Sequence, residues 1–211
     1  DAMFVIVEWI LAVAPVGVFA LTLGLAFQTG PALVAAVAGF LVTACGLVVL
    51  VTVLLYPLVA LRSPYGVRAF ARAAAEPQAV GFSTRSSLAT LPVLLEEAEK
   101  TLRIPKEVAG LVLPTAVSVF KYSSPVVRIS GTFFVAALFG VELGPLEAAA
   151  IVAGMGALTF YTPGIPSGGL FVVAPLFQAF GLPLEGIGIL IALDIVPDLF
   201  MTASNVTADL A

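Results

Sequence analysis

The chain has 211 residues, of which 61% are hydrophobic and 10% charged, with a net charge of −4 and a mean hydropathy of +1.15. Soluble domains contain about 25% charged and about 45–50% apolar residues, so the composition excludes an ordinary soluble domain and indicates an integral membrane protein. The lack of histidine excludes histidine-based metal sites and catalytic triads, and the single cysteine excludes an internal disulfide. We expect neither an enzyme nor a nucleic-acid partner.

Two apolar segments at the start of the chain each have the length of a membrane crossing, which takes about 20 residues of helix. The first, Phe4–Phe27, carries Glu8 beside Trp9 near one end, as expected of an interfacial anchor. The second, Pro31–Leu61, has no charged residue and is long enough to cross with a tilt. Because Asp1 directly precedes an apolar span, we expect that the chain lacks an N-terminal part.

Basic residues indicate the side of the membrane on which the next region lies. Six of the nine lie in polar or mixed sequence at positions 62–72 and 100–106, which predicts a cytoplasmic location for the region from 62 to 106. Ala74–Glu99 lies between these basic flanks and is polar in its middle, at Ser83–Ser87. A segment with both ends on one side of the membrane is a re-entrant hairpin. We therefore expect a hairpin at about 74–99, preceded by a loop from Arg62 to Arg72.

The next apolar segment, Val108–Leu138, is long enough to cross but is interrupted by Lys121-Tyr-Ser-Ser-Pro125. Lys121 and Arg128 are seven residues apart, so on one helix they would share a face. With Arg85 in the first hairpin, they are the three basic residues expected at membrane depth.

The last two segments combine apolar sequence with a break and with acidic residues. Leu146–Phe180 is broken at Thr162–Gly169 into arms of about half a span, which predicts a second hairpin at about 146–180 that enters from the opposite face. Ile187–Leu210 is the final span. On one helix, its polar residues would fall in an arc of roughly 100°; they are Asp194, Asp198, Met201 or Thr202, Asn205 and Asp209.

Ionisable groups at membrane depth usually face a bundle interior, a partner or a pathway. Three cations and three carboxylates there could neutralise one another, either as part of a site or as a purely structural ion-pair network. A hairpin followed by a charged span occurs twice with opposite topology, which is an inverted repeat. The fold class predicted is an all-α membrane protein with two re-entrant hairpins, and such broken elements in both halves indicate a transporter's binding site.

Five short motifs occur in an order and at a spacing that identify a family. They are Ser83-Thr-Arg-Ser-Ser-Leu-Ala-Thr-Leu-Pro92, Pro114 with Gly131-Thr-Phe-Phe134, Gly164-Ile-Pro-Ser-Gly-Gly169, Asp194-x-x-x-Asp198 and Asn205-Val-Thr-x-Asp209. The chain resembles, over essentially its whole length, the C-terminal half of the dicarboxylate/amino acid:cation symporters, which include the glutamate transporters. The resemblance implies a scaffold-type helix in residues 1–30 and a transport domain in 31–211.

The resemblance also implies a substrate site. Asp198 would hold a substrate ammonium group, and Asn205 would hold its carboxylate with help from the first hairpin. Hairpin-tip amides near Gly164–Gly169 would close over the ligand as a lid. The substrate-binding residues implied are Arg85, Ser86, Ser87, Gly164, Ile165, Pro166, Gly168, Asp198, Met201, Thr202 and Asn205.

The sodium motif of the family is changed in this chain. Where the family has Asn-Met-Asp-Gly-Thr, the sequence reads Phe120-Lys-Tyr-Ser-Ser124, which removes oxygen ligands that a hard cation needs. One sodium site is then lost, a second on Asp209 is weakened, and the side-chain part of a third survives. Our hypothesis is that Lys121, with Arg128 as a second candidate, replaces bound sodium as a tethered charge. The cation-site or tethered-charge residues implied are Ser118, Lys121, Tyr122, Arg128, Thr159, Thr162, Asp194 and Asp209.

A second change concerns the substrate. Met201 stands where family members for acidic substrates have an arginine, so we expect a neutral amino acid, although Arg85 could serve an acidic one. The favoured interpretation is a homotrimeric secondary transporter in the cell membrane that moves a small amino acid or carboxylate by alternating access, with weakened or absent sodium coupling. The alternatives are a sodium- or proton-coupled dicarboxylate symporter and a non-transporting ligand-binding membrane protein. No cofactor is expected besides a coupling sodium ion or proton.

Overall fold

The structure is a computed structural model that describes residues 31–158 and 168–211. This part of the chain consists of helices and their connections and contains no strand, which confirms the all-α prediction. The elements are α1 (Pro31–Arg62), α2 (Val67–Thr84), α3 (Ser87–Lys100), α4 (Lys106–Val119), α5 (Ser124–Leu138), α6 (Pro145–Leu158), a 3₁₀ segment (Gly168–Val173), α7 (Ala174–Ala179), α8 (Glu185–Leu193) and α9 (Ile195–Leu210). The span expected at Phe4–Phe27, with the scaffold region 1–30, and the tip of the second hairpin lie outside the described residues.

Helix α1 confirms the prediction of a long apolar helix at Pro31–Leu61. Within 31–158 and 168–211 it is the one helix long and apolar enough to cross a membrane alone, and α8 and α9 qualify only when taken together. Large apolar side chains are exposed along it, among them Val42, Val53 and Leu61. A helix that is apolar on all sides is stable inside a protein or in a membrane, and the exposed side chains favour the membrane.

Helices α2 and α3 form a hairpin whose turn, at Arg85 and Ser86, lies inside the polar stretch of the predicted hairpin. The expected start at about 74 is wrong, because α2 already begins at Val67 and only four residues separate it from α1. The basic side chains of this segment are exposed, whereas Phe70 and Ala74 are buried. The expected loop is therefore the first part of an amphipathic helix.

The segment Val108–Leu138 is broken as predicted, into α4 and α5. Pro125 lies in the first turn of α5 and has no N–H for the carbonyl of Lys121, four residues earlier, so a helix cannot continue through this point. Lys121 lies in the break and Arg128 within α5. The expectation that these two cations share one helix face is therefore wrong.

The two C-terminal segments depart further from the predictions. In the segment of the predicted second hairpin, the first part is α6, and the part after the undescribed residues is a 3₁₀ segment followed by the six-residue helix α7. The single helix predicted over Ile187–Leu210 is wrong, because α8 and α9 meet at Asp194 with a bend of 67°. Pro197 accounts for the bend, since it lacks an N–H and its ring clashes with the carbonyl of Leu193. Asp194 therefore does not share a helix face with Asp198.

The apolar core consists of two large clusters separated by a small one. One cluster joins α6, the 3₁₀ segment and α7 to α5, α8 and the first part of α1. The other joins α2, α3 and α4 to α9 and the last part of α1. Between them along α1 and α9 lies a small cluster of Val48, Val127 and Met201. Each large cluster thus buries one predicted hairpin, and the breaks at Lys121 and Asp194 lie at the level between them.

Gly186 offers a test of the packing of α8 against α5. A Cβ at Gly186 would lie 2.3 Å from Cγ1 of Val135, and no other contact of a described glycine is as short. We expect Gly186→Ala to destabilise the fold by about 1–3 kcal/mol through overpacking. Gly156→Ala is the matched control, because a Cβ there has no neighbour within 4 Å and alanine is favoured in a helix. Thermal unfolding in detergent, followed by circular dichroism, measures both; equal melting temperatures for the two variants would contradict this packing.

Candidate functional site

The polar groups expected at membrane depth gather at three helix breaks: the tip of the first hairpin, the α4–α5 break and the α8–α9 bend. Most are enclosed within the bundle. The buried polar side chains of the described residues are Ser87, Thr90, Lys121, Ser123, Ser124, Arg128, Thr132, Asp194, Asp198, Thr202, Ser204, Asn205 and Thr207. Buried charges are stable only when they are paired and hydrogen-bonded, so their partners indicate how the site is organised.

The hairpin tip is built from a strained arginine and a capping serine. Arg85 has a left-handed backbone (φ 53°, ψ 28°), which costs a non-glycine residue about 1–2 kcal/mol, and its N–H donates to the carbonyl of Gly81 at 2.9 Å. Ser86 caps α3, accepting a hydrogen bond from the N–H of Ala89 at 3.2 Å. The adjacent Ser87 is buried. Both serines predicted to bind substrate therefore lie at the N-terminus of a helix, where free N–H groups favour an anion.

Close packing of α2 on α9 brings the tip of the first hairpin close to Asp198, the carboxylate predicted to bind the substrate ammonium group. A Cβ at Gly81 would lie 3.2 Å from a methyl of Val206 and 3.4 Å from the methyl of Thr202, so a larger residue would separate the helices. Arg85 Nη1 lies 4.0 Å from Asp198 Oδ2, and the Asp198 side chain is 9% exposed. Arg85 and Asp198, two predicted site residues, are thus brought together.

Asn205 is held by the α4–α5 break. Its amide oxygen accepts hydrogen bonds from the backbone N–H and from the hydroxyl of Ser123, both at 2.9 Å. The same hydroxyl lies 3.0 Å from the carbonyl oxygen of Met201. The oxygen of Asn205 is therefore engaged within the protein, and the amide –NH₂ is the part of this side chain that can donate to a ligand.

Lys121 faces the carboxylates of α9. Its side chain is 3% exposed, and Nζ donates to the carbonyl of Val117 at 2.5 Å, at the C-terminal end of α4. The charges that act on it are those of Asp209 and then Asp198. Both oxygens of Asp209 are buried and have no hydrogen-bond partner among the described residues. Because Asp209 lies in the last turn of α9, where the helix dipole is negative, it needs a nearby cation.

Arg128 and Asp194 form a separate buried ion pair at the α8–α9 bend. Arg128 Nη1 lies 3.2 Å from Asp194 Oδ1, and the side chains are 6% and 2% exposed. Arg85 and Arg128 thus each lie within 4.0 Å of a carboxylate, those of Asp198 and Asp194, and the charges of Asp209 and Asp198 act on Lys121. In both ion pairs the two partners come from separate segments of the chain.

Other predicted site residues lie away from this set or outside the described residues. Ser118 is exposed, and its hydroxyl donates to the carbonyl of Pro114 at 2.7 Å. Tyr122 is 41% exposed. Met201 is buried in the small apolar cluster, and Thr202 is buried at the α2–α9 contact. Gly168 begins the 3₁₀ segment. The predicted lid and cation residues Thr159, Thr162, Gly164, Ile165 and Pro166 lie outside the described residues.

Sequence reasoning missed Ser123 and Gln78. Gln78 Nε2 donates to the hydroxyls of Tyr56 at 2.8 Å and Thr207 at 2.7 Å, joining α1, α2 and α9. Ser123 stands in the Lys121–Pro125 interruption, and a small polar residue inside a break was the signal that could have identified it. In the part of the chain that is described, no three His, Cys, Asp or Glu residues are grouped so that they could hold a metal ion.

The Arg128–Asp194 pair predicts a large stability difference between single and double variants. Arg128→Met leaves a carboxylate buried without its counter-charge, which typically costs about 3–5 kcal/mol. The double variant Arg128→Met with Asp194→Asn removes both charges and should regain much of that loss. Lys100→Met, which breaks the exposed pair with Glu96, should leave the melting temperature unchanged. A double variant less stable than Arg128→Met, measured by thermal unfolding in detergent, would contradict this pairing.

Comparisons with known proteins agree with the motifs. The family model of the sodium:dicarboxylate symporter family matches residues 1–211. The neutral amino acid transporter B(0) of Rattus norvegicus is 29% identical over 219 residues, which cover 99% of this chain and 38% of that protein. The Homo sapiens protein of the same name is 29% identical over 217 residues, covering 99% and 39%. The neutral amino acid transporter A of Homo sapiens is 27% identical over 219 residues, covering 99% and 40%.

The chain thus spans about two fifths of the length of these curated relatives. The relatives are transporters by name, in agreement with the prediction that the chain is not an enzyme. The family match confirms the resemblance found from the five motifs. The chain belongs to the sodium:dicarboxylate symporter family.

Proposed function

We propose that the chain carries the substrate site of a secondary transporter that moves a neutral amino acid across the cell membrane by alternating access. Family membership supports symport, and the names of the relatives support a neutral amino acid. The apolar surroundings of Met201 are consistent with that choice, since a thioether cannot pair with an acidic side chain. As in the family, the protein is a multi-pass homotrimer in the lipid bilayer.

An amino acid would be recognised at both of its charged ends. Asp198 offers a carboxylate to the ammonium group, which makes a charge-assisted hydrogen bond. The amide –NH₂ of Asn205 and the N-terminus of α3, at Ser86 and Ser87, offer donors to the α-carboxylate. Arg85 lies 4.0 Å from Asp198 in the structure, so an incoming zwitterion would replace part of this ion pair with its own two charges.

The architecture proposed is an inverted repeat of two re-entrant hairpins. Each large apolar cluster buries one of the two hairpin segments, and the helix breaks lie between the clusters. Non-helical backbone at membrane depth is tolerated where protein or a water-filled cavity satisfies its polar groups. A substrate site at this level would be reached from one side of the membrane at a time, with the second hairpin, including Gly164–Gly169, acting as the lid.

The coupling proposed is weakened sodium dependence, and the buried position of Lys121 carries the proposal. Its ammonium group donates to a carbonyl at the C-terminal end of α4, and the negative charges of Asp209 and Asp198 act on it. Carbonyl and carboxylate oxygens are also what a bound sodium ion would need. A lysine that supplies this charge permanently makes an ion from solution unnecessary.

The first test compares sodium dependence before and after the lysine is removed. In liposomes, uptake of alanine, serine or leucine by the unmodified protein should be the same with and without an inward sodium gradient. Lys121→Met leaves Asp209 without its counter-charge, so uptake without sodium should fall about tenfold or more, and added sodium should restore part of it. Lys100→Met, at an exposed lysine, is the control. Strict sodium dependence that Lys121→Met does not change would refute the tethered-charge proposal. Uptake under an inward proton gradient tests whether a proton is the coupling ion.

The second test concerns the charge of the substrate. We expect alanine, serine or leucine to compete for binding more strongly than aspartate, because no arginine replaces Met201 in the apolar cluster. The alternative, a dicarboxylate symporter, would use Arg85, whose side chain is 21% exposed. Tighter binding of aspartate, abolished by Arg85→Gln, would favour that alternative. Binding of a neutral amino acid without any uptake would instead indicate a ligand-binding protein that does not transport.

A further inference from the structure

Ser123 occupies a capping position without acting as a cap. It is the residue before α5, where a serine hydroxyl usually accepts a hydrogen bond from the N–H groups of the first turn. No such bond is present at Ser123. Its hydroxyl instead reaches Asn205 Oδ1 and the carbonyl of Met201 on α9, and the side chain is fully buried. The hydroxyl of Ser123 therefore does not stabilise the first turn of α5, and it contacts α9, which carries residues of the proposed site.

The contact fixes which way the amide of Asn205 points. A backbone N–H can only donate, so the atom of Asn205 that lies 2.9 Å from the N–H of Ser123 has to be the oxygen. The hydroxyl of Ser123 approaches the same oxygen at 2.9 Å. Rotation of the amide by 180° would place its –NH₂ against the backbone N–H of Ser123, two donors facing each other, and would remove the hydrogen bonds that the amide oxygen accepts. The –NH₂ group is thereby held on the side away from Ser123.

We infer that Ser123 is a positioning residue that makes Asn205 present donors only, and that this selects a substrate with a carboxylate over one with a carboxamide. The inference rests on the proposed function, because it assumes that Asn205 meets the α-carboxylate. A carboxylate accepts charge-assisted hydrogen bonds from such a donor, and these are roughly twice as strong as neutral ones. An amide that could rotate would also present its oxygen, which repels a carboxylate and accepts from a carboxamide.

The test measures selectivity on the full transporter in detergent. The ligands are the tightest-binding of alanine, serine and leucine and the corresponding amino acid amide, and the quantity is the ratio of their dissociation constants. Ser123→Ala removes one of the two hydrogen bonds, so the preference for the amino acid should fall about fivefold. Ser123→Gly removes the same hydroxyl and should act alike. Ser130→Ala is the matched control, because its hydroxyl bonds only to Val126 in its own helix and the ratio should not change.

A purely structural role for Ser123 would weaken both ligands equally and leave the ratio unchanged, which would overturn the inference. In an Asn205→Ala background, Ser123→Ala should have no further effect on the ratio; a full fivefold effect there would also overturn it. If the unmodified protein binds no amino acid at all, the proposed function fails and the inference with it. If it binds one and Ser123→Ala and Ser123→Gly leave the preference intact at unchanged melting temperature, the inference alone fails.

Discussion

Charges enclosed in an apolar bundle have to neutralise one another, because each alone would cost several kcal/mol of desolvation. In this chain Arg128 is paired with Asp194 and Arg85 with Asp198, and the charges of Asp209 and Asp198 act on Lys121. Each pair joins a break in the helical structure to another segment. The contacts of α9 and the chemistry of the proposed site depend on these charges.

The helix breaks also expose backbone N–H and carbonyl groups that would be hydrogen-bonded in a continuous helix and that need other partners here. At the hairpin tip, the N–H of Arg85 donates back to Gly81. At the α4–α5 break, Lys121 contacts the carbonyl of Val117 and the N–H of Ser123 donates to Asn205. These bonds satisfy backbone groups at the breaks with side chains of the proposed site. Structure and recognition are therefore provided by the same atoms, as expected where irregular backbone lies between apolar layers.

Much of the fold could be predicted from local sequence, because apolar length and proline position act locally. The extent of α1, the polar break near Arg85 and the break at Lys121 follow from such signals. The bend at Asp194 was missed because polar spacing was assumed to lie on one helix, although Pro197 disfavours it. Other features depend on how distant helices pack. They are the carboxylates that lie near each cation, the surroundings of Met201, and the contact between Ser123 and Asn205, which are 82 positions apart. No local pattern determines that packing.

The distribution of the charges along the chain has a consequence for biosynthesis. All three cations precede residue 129, and all three carboxylates follow residue 193. During translation, Arg85, Lys121 and Arg128 are therefore synthesised before the three carboxylates. Until α9 emerges, these side chains have to remain hydrated or near lipid headgroups, since burial without a partner is costly. The first hairpin and the α4–α5 break can take their final places only after α9 has been synthesised, so assembly of this site follows the appearance of that helix.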